Sequence, residues 1–138
     1  MYRLTVTEEQ LQAIRDACEI KARLHLGQLD DALRCCYDRD GVSVVDYDTI
    51  KTVEAIIKPL QGLPSNSFWG VSAFHTASLL WEIHSTVRHR LAWDRAYRDG
   101  IVQPGEPRNW IEMMGIQYDE PMRLTGVPLP EVEKIDEH

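Results

Sequence analysis

The spacing of apolar residues along the chain predicts four helices. Between Thr7 and Gly27, apolar side chains recur every three or four positions, which is the period of a helix that buries one face. Thr7 and Gln10 match the capping box that opens a helix, and Gly27 is a typical residue for its end. We therefore expect a first helix that runs from this cap to about Leu24 or Leu26.

Shorter elements are expected in the region that follows. A second helix is expected over residues 28–37, and residues 42–45 are long enough for only a short strand. Asp46 or Asp48 can cap a third helix, and Pro59 falls in its last turn and helps to end it. The longest helix, over residues 73–97, follows a loop of turn-forming residues.

Beyond Gly100 the helical period is lost, and prolines interrupt a tail that covers about residues 101–138. Residues 109–114 can form one helical turn, and the acidic end is expected to fray. The length suits a single domain over residues 1–138. We expect an α+β fold with three or four helices, one of them long, and a few short strands.

The charge of the chain narrows the choice of partners. The formal net charge is −7 and the sequence pI is about 5.2, whereas a general binder of duplex nucleic acid needs a positive surface. The chain begins without the apolar stretch of a signal peptide and contains no run long enough to cross a membrane. Its three cysteines are an odd number without metal-ligand spacing. We therefore expect a soluble, reduced, cytoplasmic protein with neither membrane nor duplex nucleic acid as a partner.

On a helical wheel, the long helix has an apolar face that is bordered by side chains able to bind a ligand. The border consists of Trp81, His84, Arg88 and Arg95. Guanidinium groups bind phosphate oxygens as rigid forks and aromatic rings stack on bases, so this row suits a nucleotide. In the alternative interpretation, Trp81 and His84 belong to the core and the arginines pair with surface carboxylates. The spacing leaves both interpretations open.

The loop before the long helix is a second candidate region. Asn66, Phe68 and Trp69 lie among small turn-forming residues whose backbone N–H groups can hold an anion before a helix begins. In the alternative interpretation, Phe68 and Trp69 close the edge of the core in an ordinary connection. The sequence favours neither one.

Motifs for catalysis and for metal binding are missing. His84 and His89 are five residues apart, which is about 140° around a helix, so they cannot share one ion. The chain has no nucleophile elbow, phosphate-binding P-loop or dinucleotide fingerprint. We therefore predict no catalytic residues, no metal and no cofactor.

Three segments together resemble small phage proteins of the anti-Thoeris sponge family, in the first type described. They are residues 22–29, residues 81–93, and the tail segments 115–121 and 127–130. The most specific part is Val-Arg-His-Arg-Leu-Ala-Trp at 87–93, followed by Tyr-Asp-Glu-Pro at 118–121 with Pro-Leu-Pro at 128–130. The resemblance spans most of the chain.

The resemblance implies a function without catalysis, in the cytoplasm of an infected host cell. Family members sequester glycocyclic ADP-ribose isomers made by a TIR-domain enzyme, and they do so as dimers or dimer-based hexamers. Some hexamers also hold cyclic di- or trinucleotides at separate sites. The resemblance implies that Arg88, which lies inside the most specific motif, contacts the ligand. It implies the same role, on a less specific match, for His84, Trp81, Phe68, Trp69 and Asn66.

Two alternatives to sequestration stay open. One is a phosphodiesterase-like enzyme that cleaves such a nucleotide with His84 or His89 as its acid or base. The other is a phage protein that docks on a host polypeptide through Trp69, Trp110 and the proline-rich tail.

Overall fold

The computed structural model describes residues 1–135 and is helical. Its α-helices are α1 (Glu8–Leu26), α2 (Leu29–Leu33), α3 (Tyr47–Leu60) and α4 (His75–Arg98), and a 3₁₀ helix covers Ile116–Tyr118. Over this part of the chain the only β-type pairing is one antiparallel bridge between Tyr37 and Ser43. The predicted α+β fold is therefore wrong, because residues 1–135 contain no sheet.

The predicted strand fails because its apolar side chains find no partner. Val42 and Val44 are 60% and 58% exposed, so the segment buries too little apolar surface to support a strand. The Asp38 side chain instead accepts hydrogen bonds from the N–H groups of Asp40 and Val42 at 2.9 and 3.0 Å. This is a turn stabilised by an aspartate side chain.

The ends of α1 confirm the predicted signals. Thr7 Oγ1 accepts from Gln10 N at 3.2 Å, and Gln10 Oε1 accepts from Thr7 N at 2.9 Å. Gly27 adopts a left-handed φ of 75°, and the next N–H, of Gln28, donates to Arg23 O at 2.9 Å. A side chain at Gly27 would be strained in this conformation and would also overlap the buried Leu63.

The remaining helices follow the sequence to different degrees. Asp46 caps α3 by accepting from Thr49 N at 2.8 Å, and Pro59 lies in the last turn. The second helix is shorter than predicted, because it ends at Leu33 before the exposed Cys35 and Cys36.

The core lies where α1 and α4 pack antiparallel. Ala22 and Leu26 of α1 contact Ala77 and Trp81 of α4, while at the other end of the pair Arg98 lies 3.5 Å from Glu8. The tail returns across α4, and its Met122 and Leu124 pack on the same cluster. No helix within residues 1–135 has both the length and the apolar character to cross a membrane.

Candidate functional site

Polar side chains line the contact between α1 and α4 beside the apolar core. We call Arg15 and Glu19 of α1, together with His84 and Arg88 of α4, the α1–α4 seam. Each pair has the four-residue spacing that puts two side chains on one helix face. His84 Nδ1 lies 3.1 Å from the backbone oxygen of Arg15. Because a carbonyl can only accept, this hydrogen bond assigns the proton to Nδ1.

His84 is held as a neutral imidazole behind the surface. It is 3% exposed, and the Trp81 ring meets it edge-on with centroids 5.2 Å apart. Burial lowers the pKa of His84 most, and the charges of Arg88 and Arg15 lower it further, against opposing effects of the Arg15 hydrogen bond and of Glu19. The nearest Glu19 oxygen is 3.9 Å from Nδ1. This histidine therefore lacks the exposure that a direct ligand contact needs.

Among residues 1–135, Arg88 is a half-buried cation without a carboxylate partner. Its Nε is buried and has no hydrogen-bond partner. Burial lowers the pKa of Arg88 most, and Arg15 lowers it too, whereas Glu19 and Asp119 raise it. Neither carboxylate lies within ion-pair distance of the guanidinium; Glu19 instead bonds Arg23 at 2.8 Å and Asp119 bonds Arg108 at 3.0 Å.

A comparison with the other cations shows that Arg88 is exceptional. Within residues 1–135, every other buried or half-buried arginine or lysine has a carboxylate within 4 Å. These residues are Arg15, Arg23, Lys58, Arg90 and Arg108. A buried charge is costly unless it is paired, so the half-buried guanidinium of Arg88 is open to stabilisation by an anion.

Trp81 belongs to the core. This agrees with the interpretation of the sequence in which Trp81 packs inside the fold and does not stack on a ligand. It is 7% exposed and packs on Ala22, Leu26 and Ala77. The Arg23 guanidinium covers its ring at 5.3 Å from the centroid. A base therefore has no free face of Trp81 on which to stack.

The loop that carries Asn66, Phe68 and Trp69 is bound to the ends of α1 and α3, away from the α1–α4 seam. Lys58 Nζ donates to the backbone oxygens of Ser65 and Ser67 at 3.1 and 3.0 Å, and Trp69 N donates to Leu26 O at 2.8 Å. Phe68 is 60% exposed and lines a cleft of about 290 Å³. Two ion pairs, Arg23–Asp31 and Lys58–Glu54, also line the cleft.

The loop is not joined to the seam by any direct interaction. Across residues 1–135, no hydrogen bond, ion pair or aromatic contact connects Asn66, Phe68 or Trp69 to Arg88. Trp69 instead packs edge-on against Phe74, with centroids 5.7 Å apart. The structure thus brings His84 and Arg88 together but leaves the loop residues apart from them.

The structure adds Arg15 to the predicted row of ligand-binding side chains and leaves Arg95 out of it. Arg95 is exposed in the last turn of α4. Arg15 is half-buried across from His84 and bonds only its neighbour Asp16, at 2.7 Å. The repeated four-residue spacing of Arg15, Glu19 and Arg23 was the available signal. Sequence alone gave no indication that this face of α1 meets α4.

A second cleft of about 430 Å³ lies on another side of α4, where the tail crosses it. His89 and Arg90 line it from α4, and Arg123 and Pro128 line it from the tail. Its two glutamates, Glu120 and Glu131, offset the positive charge of the arginines. Within residues 1–135, no group of three or more potential metal ligands is close enough to bind an ion.

Comparisons with models of protein families, with curated proteins and with solved structures give no match for this chain.

Proposed function

We propose that the protein binds a small phosphorylated nucleotide at the α1–α4 seam and sequesters it without chemical change. The observation that carries this proposal is the unpaired, half-buried guanidinium of Arg88 beside Arg15. An anion at this position would supply the negative charge that no carboxylate within residues 1–135 provides to Arg88. The resemblance of residues 81–93 to the anti-Thoeris sponges narrows the proposed ligand to a cyclic ADP-ribose isomer.

The chemistry of the two arginines supports a phosphate ligand. A guanidinium forms charge-assisted hydrogen bonds with two phosphate oxygens at once. Each bond to a charged group contributes about 1.5–3 kcal/mol, and a pyrophosphate offers oxygens to both Arg15 and Arg88. The net charge of −7 does not oppose this, because a local arginine pair can outweigh the distant field.

Sequestration is favoured over hydrolysis by the position of the histidine. A general acid or base must reach the reacting atoms within hydrogen-bond distance. Of the two candidate histidines, His84 is 3% exposed and its Nδ1 is engaged with Arg15 O, whereas His89 lines the separate cleft where the tail crosses α4. We therefore propose a sponge for the nucleotide in place of a phosphodiesterase.

The decisive experiment tests retention of intact ligand. The purified protein is incubated with the products of a TIR-domain defence enzyme, filtered, heat-denatured and analysed by mass spectrometry. We expect release of an intact cyclic ADP-ribose isomer. Arg88→Gln should reduce the affinity by roughly ten- to a hundredfold, whereas Arg98→Gln, at an exposed position of the same helix, should retain it.

Two results would contradict the proposal. Release of a cleaved product would establish an enzyme. Equal ligand binding by the wild type and Arg88→Gln, with native circular dichroism for both, would mean that the ligand does not bind at the seam.

A second candidate function follows from exposed apolar residues in the tail. Trp110, Ile111 and Met114 are 71%, 87% and 73% exposed, and clustered apolar exposure of this kind is typical of protein-contact surfaces. We propose that this segment contacts either a second copy of the chain, in a homo-oligomer, or a host polypeptide. If the docking function is the main one, no small molecule is retained and Arg88→Gln has no effect on capture of the partner.

A further inference from the structure

We infer that His84 couples the binding of an anion at the α1–α4 seam to the uptake of a proton. This inference rests on the proposed function, because it assumes that an anion binds beside Arg15 and Arg88. It assigns His84 a role behind the ligand, in place of the direct contact that the sequence predicted.

The geometry connects His84 to both arginines. His84 Nδ1 bonds the backbone oxygen of Arg15 at 3.1 Å, and Arg88 follows one turn later on the same helix. With 3% exposure, the imidazole is screened little by solvent, so a change of charge at the arginines acts on it strongly.

The charges that face His84 come from both helices. Arg15 and Glu19 face it from α1, and Arg88 faces it from α4. The tail contributes Asp119, whose charge acts on Arg88. Glu19 is the one nearby carboxylate, and its other oxygen is engaged by Arg23 at 2.8 Å.

An anion held by the arginines would remove the part of the lowering of the His84 pKa that comes from their charges. In the free protein, burial and the two cations keep the imidazole neutral and its pKa low. A bound pyrophosphate would offset both cations, so the pKa of His84 would rise and the ring would take up a proton. By linkage, the affinity would then increase as the pH falls, by about two- to threefold from about pH 8 to about pH 6.

Calorimetry of the full chain with cyclic ADP-ribose tests the coupling. The pyrophosphate diester of this probe keeps a constant charge near neutral pH, so any pH dependence belongs to the protein. At about pH 6, titrations in two buffers of different ionisation enthalpy measure the protons taken up on binding. We expect a measurable fraction of one proton for the wild type.

Two variants identify the residue responsible. His84→Gln should abolish the proton uptake and flatten the pH dependence of the affinity. His25→Gln, which changes an exposed histidine on α1, should keep both. If His84→Gln does not fold, the imidazole resonance of His84 in the wild type, titrated by NMR with and without the probe, gives the same answer through its change of pKa.

The outcomes separate this inference from the function on which it rests. Binding without proton uptake, or uptake that persists in His84→Gln, would overturn the inference and leave the proposed function intact. A wild-type protein that binds no cyclic ADP-ribose and no product of the TIR-domain enzyme would overturn both.

Discussion

The guanidinium of Arg88 is half-buried at the α1–α4 seam, where its Nε has no hydrogen-bond partner. A charge removed from water without a partner destabilises the folded state, and residues kept for binding often carry such a cost. We therefore predict that Arg88→Met increases the free energy of unfolding, by about 0.5–1 kcal/mol, while it abolishes nucleotide binding. Urea unfolding followed by circular dichroism measures the first effect.

Arg90→Met is the matched control for this prediction. Arg90 bonds Asp94 at 2.9 Å, so its loss should leave stability the same or lower it by about 0.5 kcal/mol. A clear loss of stability in Arg88→Met would mean that Arg88 supports the fold, and its unpaired state would then no longer indicate a ligand.

The tail is held against α4 chiefly by one buried carboxylate, with a further hydrogen bond from Met122 N to Ser85 Oγ at 3.1 Å. Glu82 is 2% exposed, and its oxygens accept from Leu124 N at 2.6 Å and from Thr125 N and Oγ1 at 2.7 Å each. Glu82→Gln replaces a charged acceptor by a neutral amide, and because hydrogen bonds to a charged group contribute more than neutral ones, it should destabilise the tail by about 1–2 kcal/mol. Hydrogen exchange should show faster exchange at Leu124 and Thr125.

Glu112→Gln, an exposed glutamate in the same tail, serves as the control and should leave exchange unaltered. The proposal that Glu82 fastens the tail fails if both variants exchange alike. It also fails if Glu82→Gln accelerates exchange equally throughout α1, because that pattern indicates global unfolding.

The helices could be predicted from the sequence because their signals are local. The Thr7–Gln10 capping box, Gly27 and Asp46 act within a few residues of the chain. The strand prediction failed because a strand needs a partner, and residues 42–45 meet only the single bridge from Tyr37 to Ser43.

The site could be predicted only in part, because part of it depends on contacts between segments that are distant in the sequence. The wheel of α4 correctly puts His84 and Arg88 on neighbouring turns. The contribution of Arg15 depends on the packing of α1 on α4, which brings together two residues, Arg15 and His84, that lie 69 positions apart in the sequence. The burial of Trp81 under Arg23 likewise arises from that packing, which a single-helix pattern does not contain.

Three buried ionisable groups, Glu54, Glu82 and His84, make the folded state less stable as the pH falls. The pKa of His84 is lowered chiefly by burial. The pKa of Glu54 is lowered first by its hydrogen bond with Lys51. For Glu82, burial is the largest effect and raises the pKa, but the hydrogen bonds from Thr125 and Leu124 together outweigh it and leave the pKa lowered.

Because each of these groups has a lower pKa when folded, the unfolded chain binds protons more readily as the pH falls. We predict a loss of stability in two stages. The first begins near the ordinary histidine value of 6.5, and the second begins near the ordinary glutamate value of 4.5. Urea unfolding across this range measures both, and His84→Gln should remove the first stage alone. A stability that stays constant from neutral pH down to the carboxylate range would contradict the burial of a neutral His84, and with it the arrangement of charges at the seam.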